Sequence, residues 1–175
     1  MNFFAYVKHG IEIVALDRKS IKTVAKDKKA TNMGIIILLI AGFLSVAGLY
    51  GIQGYYQALV MAPLFTLVMF VLGVGILQVF VRLFGGINKY PELFRVLSHS
   101  AVMCWLWLFL IIPILGDILN WIVLIWGIIV TIVAVETLNN MKRVRAIIAV
   151  IIPFVVAAIV LALVYMLALR SVITA

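Results

Sequence analysis

The chain has 175 residues, of which 67% are hydrophobic and only 11% charged, against about 45–50% apolar and about 25% charged in a soluble domain. So few polar residues cannot clothe a water-facing surface, which excludes an ordinary soluble globular protein and makes lipid the main solvent. The formal net charge is +8, but the cations sit at the ends of apolar runs, where membrane topology and anionic headgroups account for them, so no nucleic-acid partner is expected.

Residues 1–32 form a basic N-terminal segment holding seven of the fourteen Lys and Arg: Lys8, Arg18, Lys19, Lys22, Lys26, Lys28 and Lys29. Phe3, Tyr6, Val7, Gly10, Ile13, Val14, Ile21 and Val24 recur at helical steps, with Lys8, Glu12, Lys19, Lys22 and Lys26 off that stripe. The pattern predicts an amphipathic interfacial helix in the headgroup layer, each cation drawn to anionic lipid by about 1 kcal/mol. Lys19, Lys22, Lys26, Lys28 and Lys29 are therefore candidate anionic-lipid contacts. The same stripe would also suit a helix that docks on a protein partner.

The first apolar span covers 33–50. Ser45-Val46-Ala47 resembles a small-x-small cleavage site, but the cationic stretch before it is too long for a signal peptide, so the span is expected to remain. An uncharged loop with Tyr55 and Tyr56 leads to a second span at 58–81, with Pro63 near its start. Gly85 and Gly86 suit a left-handed helix end, and Asn88 and Pro91 suit the start of the next helix.

Third and fourth spans at 96–113 and 118–138 are joined by a few residues around Gly116-Asp117, so they must be antiparallel neighbours. Asp117 and Asn120 are candidate caps for the fourth, and Trp121 suits a boundary belt. Reflection about Asp117 sets His99 opposite Glu136, a candidate intramembrane polar pair about one turn inside the boundary. Ionisable groups at that depth are functional candidates by default. An interhelical hydrogen bond, Glu136 reaching Arg95 or Arg143, a proton or ion relay, and no contact at all remain open. Cys104, within an apolar run, reads as a buried structural thiol.

Lys142, Arg143 and Arg145 form a basic turn, a further set of anionic-lipid contacts, ahead of a fifth span at 146–169 interrupted by Pro153; residues 171–175 are a short tail. Counting alternate sides, thirteen Lys and Arg fall on the N-terminal side and only Arg170 on the other. That asymmetry predicts a cytoplasmic N-terminus and a C-terminus across the membrane. No phosphate loop, dinucleotide fingerprint, metal-ligand cluster or paired carboxylates occur, so no cofactor, metal or catalytic residue is assigned. The expected fold is an all-α integral membrane protein, a bundle of five transmembrane helices preceded by the interfacial helix.

The run Leu83-Phe84-Gly85-Gly86-Ile87-Asn88-Lys89-Tyr90-Pro91-Glu92-Leu93-Phe94-Arg95-Val96-Leu97 resembles the opening of the Yip domain. The likeness continues through Ile112-Pro113-Ile114-Leu115-Gly116, the helix of Trp126, the basic turn before Ala146 and Ile151-Ile152-Pro153, covering residues 33–170. This is a five-span family whose eukaryotic members interact with Rab (Ypt) GTPases in endoplasmic reticulum and Golgi membranes. Their long cytosolic extension and acidic-aromatic Asp-Leu-Tyr-Gly-Pro-type motif have no counterpart here. The resemblance thus implies the short form of prokaryotic cell membranes and argues against a Rab-type GTPase partner. It implies a non-enzymatic scaffold or membrane-organising, trafficking-type protein that binds lipids, other membrane proteins or itself. The alternative is a small transporter, or an accessory subunit of one, using His99 and Glu136.

Overall fold

A computed structural model describes residues 2–50, 56–112 and 114–156. Among these residues all regular structure is helical. Two short helices, α1 (Phe3–Val14) and α2 (Arg18–Lys26), precede the long α3 (Ala30–Tyr50) and α4 (Tyr56–Leu83). Helix α5 (Tyr90–Ser100) continues as a 3-10 segment (Ala101–Ile111), and α6 (Leu115–Asn139) follows. A further helix, α7, occupies 143–156. Among the described residues four stretches are long and apolar enough to cross a membrane: Ala30–Leu49, Ala58–Leu83, Tyr90–Ile111 and Leu115–Asn139. The expected fifth span, 146–169, is covered only as far as 156, and the 171–175 tail lies outside the described residues.

Helix α3 lies against α4 on one side and against α5 with its 3-10 segment on the other, while α6 closes on the 3-10 segment from beyond. At 1.5 Å per residue in α-helix and 2.0 Å in 3-10 helix, α4, α5 with its extension, and α6 measure about 37–42 Å. The hydrocarbon layer is about 30 Å thick. The helices therefore exceed that thickness by about 7–12 Å. At the end that carries Arg82, Lys89 and Lys142, the polar Gln78, Asn88, Ser98 and Asn139 are buried among the helices.

The expected single interfacial helix is a pair. Leu16, with φ of 66°, reverses the chain, and Asp17 caps α2 by accepting the Lys19 and Ser20 amides at 3.2 and 3.0 Å. The stripe of Tyr6, Gly10, Ile13, Ile21 and Val24 faces protein: all five are buried. Helix α1 lies on α5, the 3-10 segment, α3 and α6, while α2 lies on α5 and α6. Full burial of a side chain the size of Ile is worth about 1.5–3 kcal/mol, so Ile13 and Ile21 fasten the pair firmly. Only the outer face of α1, with Phe4, Lys8 and Ile11, remains exposed.

Glycine makes the docking of α1 and α3 possible. A Cβ at Gly10 would sit 2.6 Å from the His99 carbonyl oxygen, and one at Gly34 would run into the Ser98 hydroxyl. Just there α5 changes to 3-10 geometry. Ser98 Oγ donates to the Arg95 carbonyl, Ser100 Oγ to the Leu97 carbonyl, and His99 Nδ1 lies 2.7 Å from the Arg95 oxygen. Side chains bonding back to carbonyls compete with the α-helical ladder, and the tighter repeat follows.

Other sequence expectations meet the structure with adjustments. Gly85 adopts φ of 88° at the end of α4. Pro63 lies seven residues inside α4 rather than at its first turn. The N-cap of α5 is Lys89, whose amide bonds Glu92 Oε2 at 2.9 Å. At the corner, Ile114 stands at the N-cap of α6 with φ of 66° and without a side-chain cap. Asp117 is in the first turn and favours the helix dipole, but neither it nor Asn120 caps.

Candidate functional site

The basic end is held by four polar joints, each built around one side chain. Glu136, near the end of α6, accepts from Arg18 Nη2 at 2.7 Å and from Arg143 Nε at 3.1 Å. Its side chain is 13% exposed whereas the arginines are 52% and 64% exposed. A largely buried carboxylate is thereby neutralised by cations that stay exposed, and α2, α6 and the start of α7 are tied together.

Tyr6 Oη donates to Asp27 Oδ2 at 2.6 Å. That bond, reinforced by burial, pushes the Tyr6 hydroxyl up to about 12, and the same bond holds the Asp27 carboxyl below its usual range. Asp27 also accepts the Lys29 amide at 2.9 Å, which fixes the turn into α3. Arg95 reaches the same turn, donating to Thr31 Oγ1 at 2.8 Å and to the Ala25 carbonyl at 2.7 Å.

Glu12 joins α1 to α2. It accepts from Ser20 Oγ at 2.6 Å, lies 2.8 Å from His9 Nδ1 and 3.9 Å from Lys8 Nζ. The Ser20 hydroxyl, with His9 and Lys8 behind it, holds the carboxyl below its ordinary value against partial burial. The fourth joint is Asn139. Its Oδ1 accepts the Ile87 and Asn88 amides at 2.7 and 2.9 Å, while Gln78 and Arg82 donate to the Asn88 carbonyl. The α4–α5 connection is thus bound to the end of α6.

His99 and Glu136 do not bond to each other. His99 is fully buried, its ring centroid 5.6 Å from that of Tyr6, and its Nε2 has no hydrogen-bond partner. The reflection about Asp117 misplaces the corner, which is centred between Ile111 and Leu115. A Cβ at Gly116 would sit 2.6 Å from Leu110 Cα, and one at Gly127 would meet the Met103 Cε at 2.8 Å, so Leu110 stands opposite Gly116 and Met103 reaches Gly127. The α6 position level with His99 is then about one turn short of Glu136.

Among the described residues, two partly open cavities lie beside the long helices. One, of about 430 Å³, is lined by residues including Leu38, Phe70, Trp107, Val123 and Ile128, with Cys104 and Asn120 at its wall. The other, of about 360 Å³, opens between α4 and α7 beside Phe70, Val74 and Phe154. Both are dominated by apolar side chains, and neither His99 nor Glu136 lines them. Among the described residues no three His, Cys, Asp or Glu side chains converge as a metal site.

The cations named from sequence are all exposed: Lys19, Lys22, Lys26, Lys28 and Lys29 on and after α2, and Lys142, Arg143 and Arg145 ahead of and within α7. Arg18, Lys19, Lys22, Thr23 and Lys26 line one open depression of about 410 Å³. With the apolar face of α2 buried in the bundle, only its cationic face is presented outward. Sequence reading missed Tyr6–Asp27, Glu12–Ser20 and the Asn139 joint. Asn139 carried a faint signal, as a polar residue at the end of a long apolar run.

Long apolar helices joined through polar ends define a multi-pass α-helical membrane protein. Residues 18–165 match the Yip1 domain family; the chain belongs to that family. No curated protein and no solved structure matches it.

Proposed function

We propose that this chain is a non-enzymatic scaffold or membrane-organising protein. Its basic end faces the cytoplasm and binds anionic headgroups, and its helices engage other membrane proteins or further copies of itself. The single observation that carries this reading is the division of α2: Ile21, Val24 and Ala25 are sunk in the bundle while Lys19, Lys22 and Lys26 point outward. A helix fastened in that way offers charge to headgroups without spending its apolar face on insertion. The exposed Phe4 and Ile11 of α1 support an interfacial position for the pair, since apolar side chains there favour the acyl boundary.

The transporter alternative needs a polar path past His99 and Glu136. Their separate partners and the apolar lining of the two cavities favour the scaffold reading. The test is reconstitution in vesicles with and without phosphatidylglycerol. Replacing Lys19, Lys22 and Lys26 by Gln should lower the enrichment of the anionic lipid around the protein. Unchanged enrichment contradicts the proposal, as does solute uptake that Glu136→Gln eliminates.

A further inference from the structure

Beside the open cationic depression lies a second one, of about 310 Å³, between α2, the start of α5 and the end of α6. Its polar lining is Lys22, Lys26, Glu92, Thr137 and Asn140. We propose that it holds the phosphoethanolamine headgroup of a bilayer lipid, which deepens the headgroup-binding reading above and rests on it.

The lining has two chemical sides. Lys22 and Lys26 are four residues apart on α2, so their ammonium groups project from one face and converge on a single phosphate. Thr137, 5% exposed, carries a hydroxyl with no hydrogen-bond partner. The opposite side is made of acceptors. Glu92 spends Oε2 on the Lys89 amide at 2.9 Å, and neither Lys22 nor Lys26 forms an ion pair with it. Helix α6 ends here, at Asn140 with φ of 49°, and its last carbonyls bring the negative end of the helix dipole.

A purely anionic headgroup would satisfy the lysines but face Glu92 and the α6 carbonyls unfavourably. Phosphatidylcholine brings a cation without N–H donors. A primary ammonium two carbons from a phosphate fits both sides, with its three N–H groups directed to Glu92 and the helix end. The depression is at the basic end of the bundle, the level at which headgroups lie.

The test is competitive retention. Protein in nanodiscs of equal parts phosphatidylethanolamine, phosphatidylglycerol and phosphatidylcholine is released in gentle detergent, and native mass spectrometry counts the lipids it keeps. The wild type should retain phosphatidylethanolamine several-fold over the other two. Glu92→Gln, which keeps an oxygen for the Lys89 amide and so preserves the helix cap, should erase the preference over phosphatidylglycerol. Lys22→Gln with Lys26→Gln should lower retention of both. Phosphatidylethanolamine kept no better than phosphatidylglycerol, with both above phosphatidylcholine, or a ratio indifferent to Glu92→Gln, overturns the assignment while leaving the basic face as a general anion binder; equal retention of all three lipids overturns both. Retention insensitive to the lysine changes overturns that wider reading as well. Soluble phosphoethanolamine should not displace the lipid; displacement would assign the site to a free phosphoamine instead.

Discussion

Arg18 and Glu136 are 118 positions apart and meet at 2.7 Å, with Arg143 on the other oxygen of the same carboxylate. The contact fixes where α2 lies: along the end of α6, cationic face outward. Because both arginines are more than half exposed, solvent screens the pairs and each is worth at most about 1 kcal/mol. Glu136→Gln, which weakens both pairs, should therefore lower Tm by no more than about 4–8 °C, and trypsin should cut at Lys19 and Lys22 sooner. A fully stable, equally resistant variant would show that the joint does not anchor α2.

The Tyr6–Asp27 bond makes the docking of α1 depend on pH. The Asp27 carboxyl is lowered in the folded protein from 3.8, so its contribution is present above that value and is lost as pH falls through the lower folded one. Tyr6 is raised from 10.0 to about 12, so its contribution is present below 10.0 and disappears as pH rises toward about 12. Tyr6→Phe should cost about 1–2 kcal/mol at pH 7, and progressively less below pH about 4. Denaturation of both proteins across that range checks it; a cost independent of pH would contradict the charge-assisted bond.

At Gly34 the constraint is space. Gly34→Ala drives a methyl group into the Ser98 side chain, and overpacking of this kind costs about 1–3 kcal/mol. Ser98→Gly should recover most of the loss in the double variant, measured as thermal stability in one detergent. Failure of the rescue would place the strain elsewhere.

Asn139→Leu removes the acceptor for two backbone amides, Ile87 and Asn88. The buried Asn88 amide left without a partner costs about 1–3 kcal/mol, and the half-buried Ile87 amide less. Hydrogen exchange should accelerate at those two amides before it does in α4 or α5. Exchange unchanged at Asn88 would mean that water replaces the lost oxygen at no cost.

Much of this architecture was legible in the residues. Ala30–Leu49, Ala58–Leu83 and Leu115–Asn139 announce themselves because nothing but a lipid-facing helix needs such apolar runs. The placement of α1 and α2 was not legible. A stripe such as Tyr6, Gly10 and Ile13 states that something apolar covers it, without distinguishing lipid from the groove of α5. The polar partners were hidden for a related reason. Reflecting one helix onto another requires the turn's true centre and the rise of each arm, and the 3-10 geometry of Ala101–Ile111 is written in no single residue. Glu136 was found because a carboxylate in an apolar run is conspicuous; Arg18, one of many surface cations, was not.

In the proposed arrangement the basic joints share one face of the membrane and the Ile114–Asp117 corner lies across it. Single cysteines at Lys28, Lys142 and Asp117, introduced into a Cys104→Ala background, can be labelled with a membrane-impermeant maleimide on oriented vesicles. Lys28→Cys and Lys142→Cys should react from the same side and Asp117→Cys only from the other. Reaction of Lys142→Cys together with Asp117→Cys, and not with Lys28→Cys, would contradict the account.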